Sequence, residues 1–504
     1  MNPPVVRMQG MCKRFGPVVA LDGADFELAA GEIHGLLGEN GAGKTTLMNV
    51  LAGLYRADAG IVEVDGRRVT VREPRDAVRL GIGMVHQHFE LVGQLTALEN
   101  VVLGREGGAW LRRDRLRAEV EALMERVGLP VPLDRPVREL PVGVQQKVEI
   151  LKALYRGARV LVLDEPTTLL TPQEVDALFV SLRSLVASGI SVVFITHKLH
   201  EVLRACDRVT VMRRGRRVVT ARRAEVDPIR LVEWMVGSAL PPAAVREPGQ
   251  LGEPVLELEG VRVLDGRGVA VLDGCNLLVR AGELVGVAGV SGNGQQALAA
   301  VVAGSAHPHA GQVRLAGLPC ARGGVAERMR AGVLAVPEDR LREGILPRMT
   351  VAENVLLGRH RWHFRSLRYD PEVGRRLARE AIEEFRIHCL GPDAPAGQLS
   401  GGNLQKLIAS RVFGASRERD ARLLVAHNPT RGLDVTATEF LHGQLVEFCR
   451  RGGAVLLISE DLDELLKLSD RIVVLYRGRV VAEFSRDGFD RYAIGRAMTG
   501  GVDA

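Results

Sequence analysis

Residues Gly38–Thr45 of this 504-residue chain have the types and spacing of a phosphate-binding turn. The stretch GENGAGKT matches G-x-x-x-x-G-K-[ST] and lies between an apolar run and a helical pattern, the context that this motif requires. Its glycines let backbone N–H groups curve around an anion, and the start of the following helix adds a favourable dipole. Lys44 is expected to reach phosphate oxygens, and the Thr45 hydroxyl is expected to hold Mg²⁺.

Further polar residues follow other apolar runs and complete this chemistry. Asp164 ends the run VLVLD and is expected to hold Mg²⁺, while Glu165 is placed to act as the general base on an attacking water. Gln87, in GMVHQHF, is expected to sense the γ-phosphate and Mg²⁺, and His197, after SVVFIT, to contact the γ-phosphate. Phe15, in KRFG, is a candidate for stacking on adenine, with a core position as the open alternative.

The elements that must position these residues alternate along the chain. The runs EIHGLL, VLVLD and SVVFIT are apolar on both faces, which predicts buried strands. The stretches TTLMNVLAGL and QEVDALFVSLRSLVAS have the apolar spacing of helices. This alternation predicts an α/β fold with a parallel sheet flanked by helices.

The chain is also a tandem repeat. LTALENVVLG at 95–104 returns as MTVAENVLLG at 349–358, which is 254 residues later. LPVGVQQKVEILKAL, from Leu140, returns as LSGGNLQKLIASRVF, from Leu399. Both halves keep the same order of motifs, which indicates duplication of one domain.

A stretch rich in Pro, Gly and Ala separates the two halves. GSALPPAAVREPGQLGEP at 237–254 has neither a helical nor a strand period, which predicts a linker. The expected boundaries are a first domain at 1–240, a linker at 241–251 and a second domain at 252–504.

Composition excludes several classes of protein. Charged residues make up 25% and apolar residues 46% of the chain, as in soluble globular proteins. No apolar run reaches the ~18 to 20 residues of a membrane span, and the first residues lack the core of a secretory signal. We therefore expect a cytosolic chain whose membrane role would need partner subunits. The six cysteines form no CxxC pair, which argues against a disulfide framework and a zinc site.

In the order of its motifs the chain resembles the ATP-binding subunits of ABC transporters. These motifs are the phosphate loop at 38–45, the glutamine loop at Gln87, the signature segment from Leu140, the carboxylate pair Asp164 and Glu165, and the switch histidine His197. The resemblance covers nearly the whole chain, twice. It implies an α/β protein of two tandem P-loop NTPase domains, each with a mainly parallel sheet core, a helical subdomain and an antiparallel β subdomain. It also implies hydrolysis of ATP with Mg²⁺ between two domains paired head to tail. The ATP-binding residues that it assigns in the first half are Phe15, Gly38, Glu39, Asn40, Gly41, Ala42, Gly43, Lys44, Thr45 and Thr46.

The second half keeps the outline of this site and loses its chemical groups. Amides replace the lysine and the Mg²⁺-binding hydroxyl, a histidine and an amide replace the carboxylate pair, and glutamates replace the glutamine and the switch histidine. These replacements are Gln295, Gln296, His427, Asn428, Glu338 and Glu460. Each charge-assisted hydrogen bond lost is worth ~1.5–3 kcal/mol, and the base and metal ligand are lost together. We expect no turnover here, although the retained glycines leave weak nucleotide binding open.

The signature segments are damaged in the opposite sense. The second half keeps LSGGN, in which Ser400, Gly401 and Gly402 offer hydroxyl and amide donors to a γ-phosphate. The first half has Pro141 and Val142 at the serine and glycine positions. Proline is tolerated at a helix start but offers neither a hydroxyl nor an N–H group.

Under the head-to-tail pairing that the resemblance implies, the intact groups and the replaced groups fall into different composite sites. Asp434 follows the second site and is retained, whereas its counterpart in the first half is Thr171. One composite site would then combine all the competent groups, and the other would combine all the damaged ones. We expect a single working ATP site, with the second loop retained because it builds the paired surface.

Two fused ATPase domains resemble the importers of simple sugars and nucleosides. The resemblance implies two integral-membrane permease subunits, a substrate-binding lipoprotein or periplasmic protein, and a peripheral position on the cytoplasmic face of the inner membrane. The region 88–140 is expected to dock the permeases. GVAGVSGNGQQAL resembles the nucleoside branch more than the sugar branch, which stays as the alternative.

A soluble ABC protein of translation or DNA repair is the alternative from another class. Such translation factors usually carry two working sites and a long basic linker, whereas this linker is short and has one arginine, Arg246. The repair proteins carry zinc cysteines. RHRWHFRSLRYD at 359–370 combines basic and aromatic residues, but a charged or permease-facing surface is favoured over nucleic-acid binding. No nucleic-acid partner is expected.

Overall fold

The chain folds into two compact units, Met1–Leu240 and Pro241–Ala504. The structure, a computed structural model, describes residues 4–16, 18–87, 89–105, 112–168, 170–237, 246, 249, 251–320, 323–364, 370–418 and 420–501. The expected linker, the expected docking region 88–140 and the segment 359–370 lie partly outside the described residues.

The first unit alternates strands and helices after an N-terminal pair of long strands. Its strands are β1 (Pro4–Phe15), β2 (Val18–Ala29), β3 (Ile33–Leu37), β4 (Ala59–Val64), β5 (Arg67–Val69), β6 (Ile82–Val85), β7 (Val160–Asp164), β8 (Ser191–Thr196), β9 (Arg208–Arg213) and β10 (Arg216–Arg222). Its helices are α1 (Lys44–Leu51), α2 (Pro74–Arg79), α3 (Ala97–Val102), α4 (Arg113–Val127), α5 (Val142–Tyr155), α6 (Pro172–Ala187), α7 (Leu199–Ala205) and α8 (Pro228–Val236).

Within the described residues of this unit the strands form two sheets. One is antiparallel, with the order β2-β1-β4-β5. The other has the order β10-β9-β3-β8-β7-β6, and its neighbouring strands are parallel except for the edge pair β9–β10. Every residue of β3, β7 and β8 is buried, as the apolar runs predicted. These strands are fully buried because helices and the antiparallel sheet cover both faces of the parallel sheet.

One apolar cluster of the first unit joins its two sheets to α1. Phe26 and Leu28 of the antiparallel sheet pack in the same cluster as Val193 and Ile195 of the parallel sheet. Met48 of α1 belongs to this cluster as well. Because each of these side chains is removed from water, at about 1.5–3 kcal/mol per large apolar residue, the core holds the carboxyl ends of the strands in place.

The second unit repeats the first. Its strands are β11 (Pro254–Leu264), β12 (Ala270–Arg280), β13 (Leu284–Ala288), β14 (Ala310–Leu315), β15 (Leu318–Pro319), β16 (Val333–Val336), β17 (Leu423–His427), β18 (Ala454–Ile458), β19 (Arg471–Tyr476) and β20 (Arg479–Ser485). Its helices are α9 (Gln295–Ala303), α10 (Val325–Arg330), α11 (Val351–Leu356), α12 (His360–His363), α13 (Pro371–Glu384), α14 (Gly401–Glu418), α15 (Val435–Arg450), α16 (Leu462–Leu468) and α17 (Arg491–Met498).

The sheets of the second unit have matching orders. Among its described residues, β12-β11-β14-β15 is antiparallel, and β16-β17-β18-β13-β19-β20 is parallel except for its edge pair β19–β20. The predicted fold class, two tandem α/β domains with a mainly parallel core, an antiparallel β part and a helical part, is confirmed.

The junction between the units is anchored on the second one. Arg246 lies within the stretch expected to be a linker, yet its side chain is buried. Its Nε donates to both carboxylate oxygens of Asp470, at 3.0 and 3.1 Å, and its Nη2 donates to Asp470 Oδ2 at 2.6 Å. The chain is therefore tied to the second unit before β11 begins.

Membrane-spanning helices are not found in the part of the chain that the structure describes, because no helix there is both long and apolar enough.

Candidate functional site

The phosphate loop of the first unit connects β3 to α1 and depends on its glycines. Gly43 has a φ of 97°, a left-handed conformation that favours glycine. A Cβ at this position would lie 2.6 Å from the carbonyl oxygen of Ala20, too close for any other residue. The loop therefore turns tightly into α1, whose first residue is Lys44.

Lys44 is buried and held against this loop. Its Nζ donates to the carbonyl oxygens of Gly38 at 2.7 Å and Glu39 at 3.0 Å. Burial lowers the pKa of the ammonium, and the nearby carboxylates of Glu165 and Asp164 oppose that shift. A buried cation at the start of a helix is suited to a phosphate oxygen.

The carboxyl ends of β3, β8, β7 and β6 lie side by side in the sheet, and this brings the predicted polar residues together. Thr45 Oγ1 donates to Asp164 Oδ1 at 3.3 Å. Burial is the largest cause that raises the pKa of Asp164, and the Glu165 charge adds to it, while the Thr45 hydrogen bond opposes it. The hydroxyl, the carboxylate and the amide oxygen of Gln87 are hard oxygen ligands, so this donor set fits Mg²⁺.

Glu165 lies at the centre of the site. Its Oε1 is 2.9 Å from Nδ1 of His197, and its Oε2 accepts a hydrogen bond from Nε2 of Gln87 at 3.2 Å. Burial alone would raise the pKa of the carboxyl, but the hydrogen bond and charge of His197, with the charge of Lys44, hold that pKa below its usual range. Glu165 is thus ionised at neutral pH and able to accept a proton.

A second layer of contacts, which the sequence analysis missed, supports this pair. Glu201 of α7 is buried and accepts hydrogen bonds from the hydroxyls of Thr167 and Thr196. One signal for it exists in the sequence. The repeat retains a glutamate at the corresponding position of the second half, Glu464, although the neighbouring His197 has become Glu460.

The remaining ATP-binding candidates of the first unit lie around the loop. Phe15 is 42% exposed and contacts Tyr55 edge to face, with ring centroids 5.1 Å apart. The core alternative for Phe15 is therefore wrong, and stacking on adenine stays a prediction. The loop residues themselves range from buried to exposed; they are Gly38, Glu39, Asn40, Gly41, Ala42, Gly43, Thr45 and Thr46.

The signature segment of the second unit forms the start of α14. Ser400 is exposed directly before the helix, and Nδ2 of Asn403 donates to its Oγ at 2.9 Å. The Ser400 hydroxyl accepts this bond and so keeps its own proton for an acceptor. Arg340 Nη1 donates to the carbonyl oxygen of Gly401 at 2.8 Å, and Gly402 follows within the first turn of α14.

The corresponding segment of the first unit has no such donor. Pro141 precedes α5 and makes no side-chain hydrogen bond to the helix, and Val142 is the first helical residue.

Asp434 and Thr171 share a structural role. Asp434 caps α15 by accepting from the N–H group of Ala437 at 2.7 Å. Thr171 caps α6 and forms a reciprocal capping box with Glu174. Helix capping is sufficient to explain why an aspartate and a threonine occupy these positions. A contact between Asp434 and nucleotide therefore needs its own argument and is a proposal.

In the second unit Gln295 takes the place of Lys44. It is buried at the start of α9, and its Nε2 donates to the carbonyl oxygen of Val290 at 3.0 Å. Gly294 before it has a φ of 109°, and a Cβ there would lie 2.5 Å from the carbonyl oxygen of Val271. Packing against β12 therefore requires this glycine whether or not the loop binds phosphate.

The other replaced residues bond to one another. Asn428 donates through Nδ2 to Glu338 Oε1 at 2.9 Å, and its Oδ1 accepts from the N–H group of Glu460 at 3.0 Å. His427 Nε2 lies 3.5 Å from Glu338 Oε2, and burial lowers the pKa of this histidine. Ser291, in the glycine-rich loop, donates to the carboxylate of Glu460. The network joins the ends of three strands and the loop.

A cavity of about 550 Å³ opens beside this network. Gln295, Gln296, His427 and Asn428 contribute to its wall. Its charged lining is acidic, because Glu338, Asp339, Glu343 and Glu460 line it and no lysine or arginine does among the described residues. Such a lining offers a polyanion no positive charge, although Arg431, outside the lining, donates through Nη1 to Glu338 Oε1 at 3.0 Å.

Comparison with known proteins adds to this geometry. The family model for ABC transporters matches residues 21–168 and 272–429. A glucose import ATP-binding protein of Haloferax volcanii is 43% identical, over 99% of this chain and 96% of that protein. A nucleoside import ATP-binding protein of Lactococcus lactis is 40% identical, over 99% of both chains. A guanosine import ATP-binding protein of Bacillus subtilis is 40% identical, over 98% of this chain and 97% of that protein.

Proposed function

The chain belongs to the ABC transporter family and is an ATPase of that family, and we propose that it powers nucleoside import from a single competent ATP site. The observation that carries the proposed competent ATP site is the contact of Glu165 with both His197 and Gln87, beside the buried Lys44 and the Thr45–Asp164 pair. This set supplies a base, a cation and metal ligands at neighbouring strand ends and the start of α1.

Each residue of this set has a proposed part in hydrolysis. Glu165 accepts the proton of the attacking water, and its lowered pKa keeps it ionised for that purpose. His197 and Gln87 hold the carboxylate in place and contact the γ-phosphate. Lys44 neutralises charge on the phosphate oxygens. Thr45, Asp164 and Gln87 would hold a Mg²⁺ ion, which supplies further neutralisation of phosphate charge when bound.

The signature segment of the second unit completes this site in our proposal. Head-to-tail pairing of the units brings Ser400, Gly401 and Gly402 to the γ-phosphate, with Asp434 beside them. The exposed Ser400 hydroxyl, with its proton free to donate, supports this role. Pro141 can supply no equivalent donor to the other site.

The second site, in this proposal, does not hydrolyse ATP. Gln295 and Gln296 carry no charge, and His427 and Asn428 offer neither the base nor the carboxylate ligand. The carboxylates of the acidic cavity disfavour a triphosphate. The glycines persist because packing requires them, and the loop serves the pairing of the units.

The proposed cargo is a nucleoside, with a simple sugar as the alternative. Full-length relatives of similar identity are named for import of nucleosides or guanosine and for import of glucose or ribose. The preference for a nucleoside therefore rests on the resemblance of GVAGVSGNGQQAL to the nucleoside branch. Import implies two permease subunits and a substrate-binding lipoprotein or periplasmic protein as partners. The chain would then lie on the cytoplasmic face of the membrane and dock through its helical region.

Reconstitution tests this function. The chain is co-expressed with candidate permease subunits, purified as a complex and placed in liposomes with a candidate binding protein. ATP hydrolysis should rise with guanosine or another nucleoside and stay at its basal rate with ribose or glucose. A response to sugar alone would replace the nucleoside with the alternative cargo. Stimulation by RNA or DNA without permeases would contradict the transporter role.

A further inference from the structure

We infer that Glu201 is a positioning residue that fixes the distance between Glu165 and His197. The inference rests on the proposed roles of those two residues in hydrolysis. It assigns Glu201 no contact with nucleotide. One buried carboxylate instead holds the two chain segments that carry the base and the switch histidine.

The contacts of Glu201 reach both segments. Its Oε1 accepts from Thr167 Oγ1 at 2.6 Å, and its Oε2 accepts from Thr196 Oγ1 at 2.8 Å. Thr167 stands two residues after Glu165, and Thr196 directly precedes His197. One oxygen of the Glu201 carboxylate therefore binds the segment that carries Glu165, and the other binds the segment that carries His197. Glu165 Oε1 and His197 Nδ1 are themselves 2.9 Å apart.

Burial makes these bonds hard to replace. Glu201 is 1% exposed, Thr196 2% and Thr167 3%, so water does not compete for the three groups. Hydrogen bonds to an ionised acceptor are shorter and stronger than those between neutral groups. Lys198 Nζ also lies 3.9 Å from Glu201 Oε1.

The two hydroxyl donors use both oxygens of the Glu201 carboxylate. Both hydroxyls donate, one to each oxygen, and Thr196 Oγ1 also accepts from the N–H group of Lys198 at 3.0 Å. Glutamine has one acceptor oxygen, so its amide would oppose one hydroxyl donor with an N–H donor. One of the two segments would then have to reorient.

The second unit offers a matched control. Glu464 of α16 is also buried, and it accepts from Ser459 Oγ at 2.5 Å while His442 Nε2 lies 2.9 Å from its other oxygen. This carboxylate holds the equivalent strand end, yet no base and switch histidine stand beside it. Glu464→Gln should therefore report the cost to stability alone.

The test compares Glu201→Gln with Glu464→Gln in the complete transporter. Both variants should lower the melting temperature to a similar extent. Glu201→Gln should also lower kcat roughly 10- to 100-fold, the scale of a misplacement near 1 Å, with ATP affinity and KM nearly unchanged. Glu464→Gln should keep the wild-type kcat. A wild-type kcat in Glu201→Gln would overturn the inference, and so would an equal fall in kcat in both variants.

A second pair decides the matter if Glu201→Gln loses its cooperative melting transition. Thr167→Val removes one donor at nearly constant volume and should lower kcat, while Thr167→Ser keeps the hydroxyl and should retain more of the rate. The same kcat in both would overturn the inference. Glu165→Gln separates the two proposals. If Glu165→Gln is fully active, the proposed function itself is refuted. If Glu165→Gln is inactive and Glu201→Gln is fully active, only the positioning role of Glu201 is refuted.

Discussion

Lys44 and Gln295 begin corresponding helices in the two units, and each donates from its side-chain nitrogen to a carbonyl of the preceding glycine-rich turn. The two side chains are both buried and differ by one positive charge. The exchange of lysine for glutamine therefore preserves the structural bond of the turn and removes the group that attracts phosphate.

Replacing Lys44 should weaken ATP binding. Lys44→Ala and Lys44→Gln both remove the charge, and a charge-assisted hydrogen bond is worth roughly 1.5–3 kcal/mol, or about 10- to 100-fold in affinity. Equilibrium binding of a fluorescent ATP analogue measures the change. Gln295→Ala is the matched control and should alter ATP affinity only slightly. A larger loss from Gln295→Ala than from Lys44→Gln would contradict the assignment of the competent loop.

Removing the base should separate binding from hydrolysis. Glu165→Gln keeps the size of the side chain but cannot accept a proton, so phosphate release should fall by about 10²-fold or more. ATP should still bind, because Lys44 and the loop are intact. Both quantities are measured on the same preparation, by phosphate release and by nucleotide retention. Turnover near the wild-type rate would refute the role of Glu165.

The signature serine should matter in only one unit. Ser400→Ala removes the free hydroxyl donor and should strongly impair hydrolysis if the units pair head to tail. Pro141→Ser restores a serine in the other signature segment and should change the rate little, since the second site lacks a base. Steady-state ATPase assays of the two variants provide the comparison. A large gain from Pro141→Ser would show that the second site is active.

The ionised form of Asp164 should lower the free energy of unfolding of the nucleotide-free protein. Its folded-state pKa is raised above the usual 3.8 by burial, so the folded protein binds a proton more readily than the unfolded chain. The stability from this group is fully present below pH 3.8 and is lost as the pH rises through the folded-state pKa. Asp164→Asn should therefore melt at a higher temperature than wild type at neutral pH, and the gain should shrink on acidification.

Melting curves across a pH series check this sign. The same variant should lose the stabilisation that Mg²⁺ and ATP give to the wild type, because a metal ligand is gone. A gain that grows as the pH falls would contradict burial as the dominant influence on Asp164.

Much of the fold follows from local patterns in the chain. The runs around β3, β7 and β8 are apolar on both faces, and these strands are wholly buried in the structure. Glu165 and His197 follow the neighbouring strands β7 and β8, and they are in contact because parallel strands end at the same edge of a sheet.

The partners of residues in long-range contacts could not be predicted, even where the repeat marks the residue, as it does Glu201. Glu201 lies on a short helix where a glutamate is typical of a solvated face, and only packing shows that it is buried between two threonines. Arg246 lies in a stretch whose composition indicates a linker, and its partner Asp470 is 224 residues away. Composition describes the backbone preference of such a stretch, whereas a buried ion pair depends on the assembled surface.

The anchoring of Arg246 on the second unit sets the number of residues that connect it to Gly237 of the first. Nine residue steps lead from Gly237, after the last helix of the first unit, to Arg246, and even fully extended they span at most roughly 30–32 Å. A tether of this length maintains a local concentration in the millimolar range, far above that of free subunits at working dilutions. Catalysis that needs both halves would then be unimolecular, and its rate per chain would not fall on dilution.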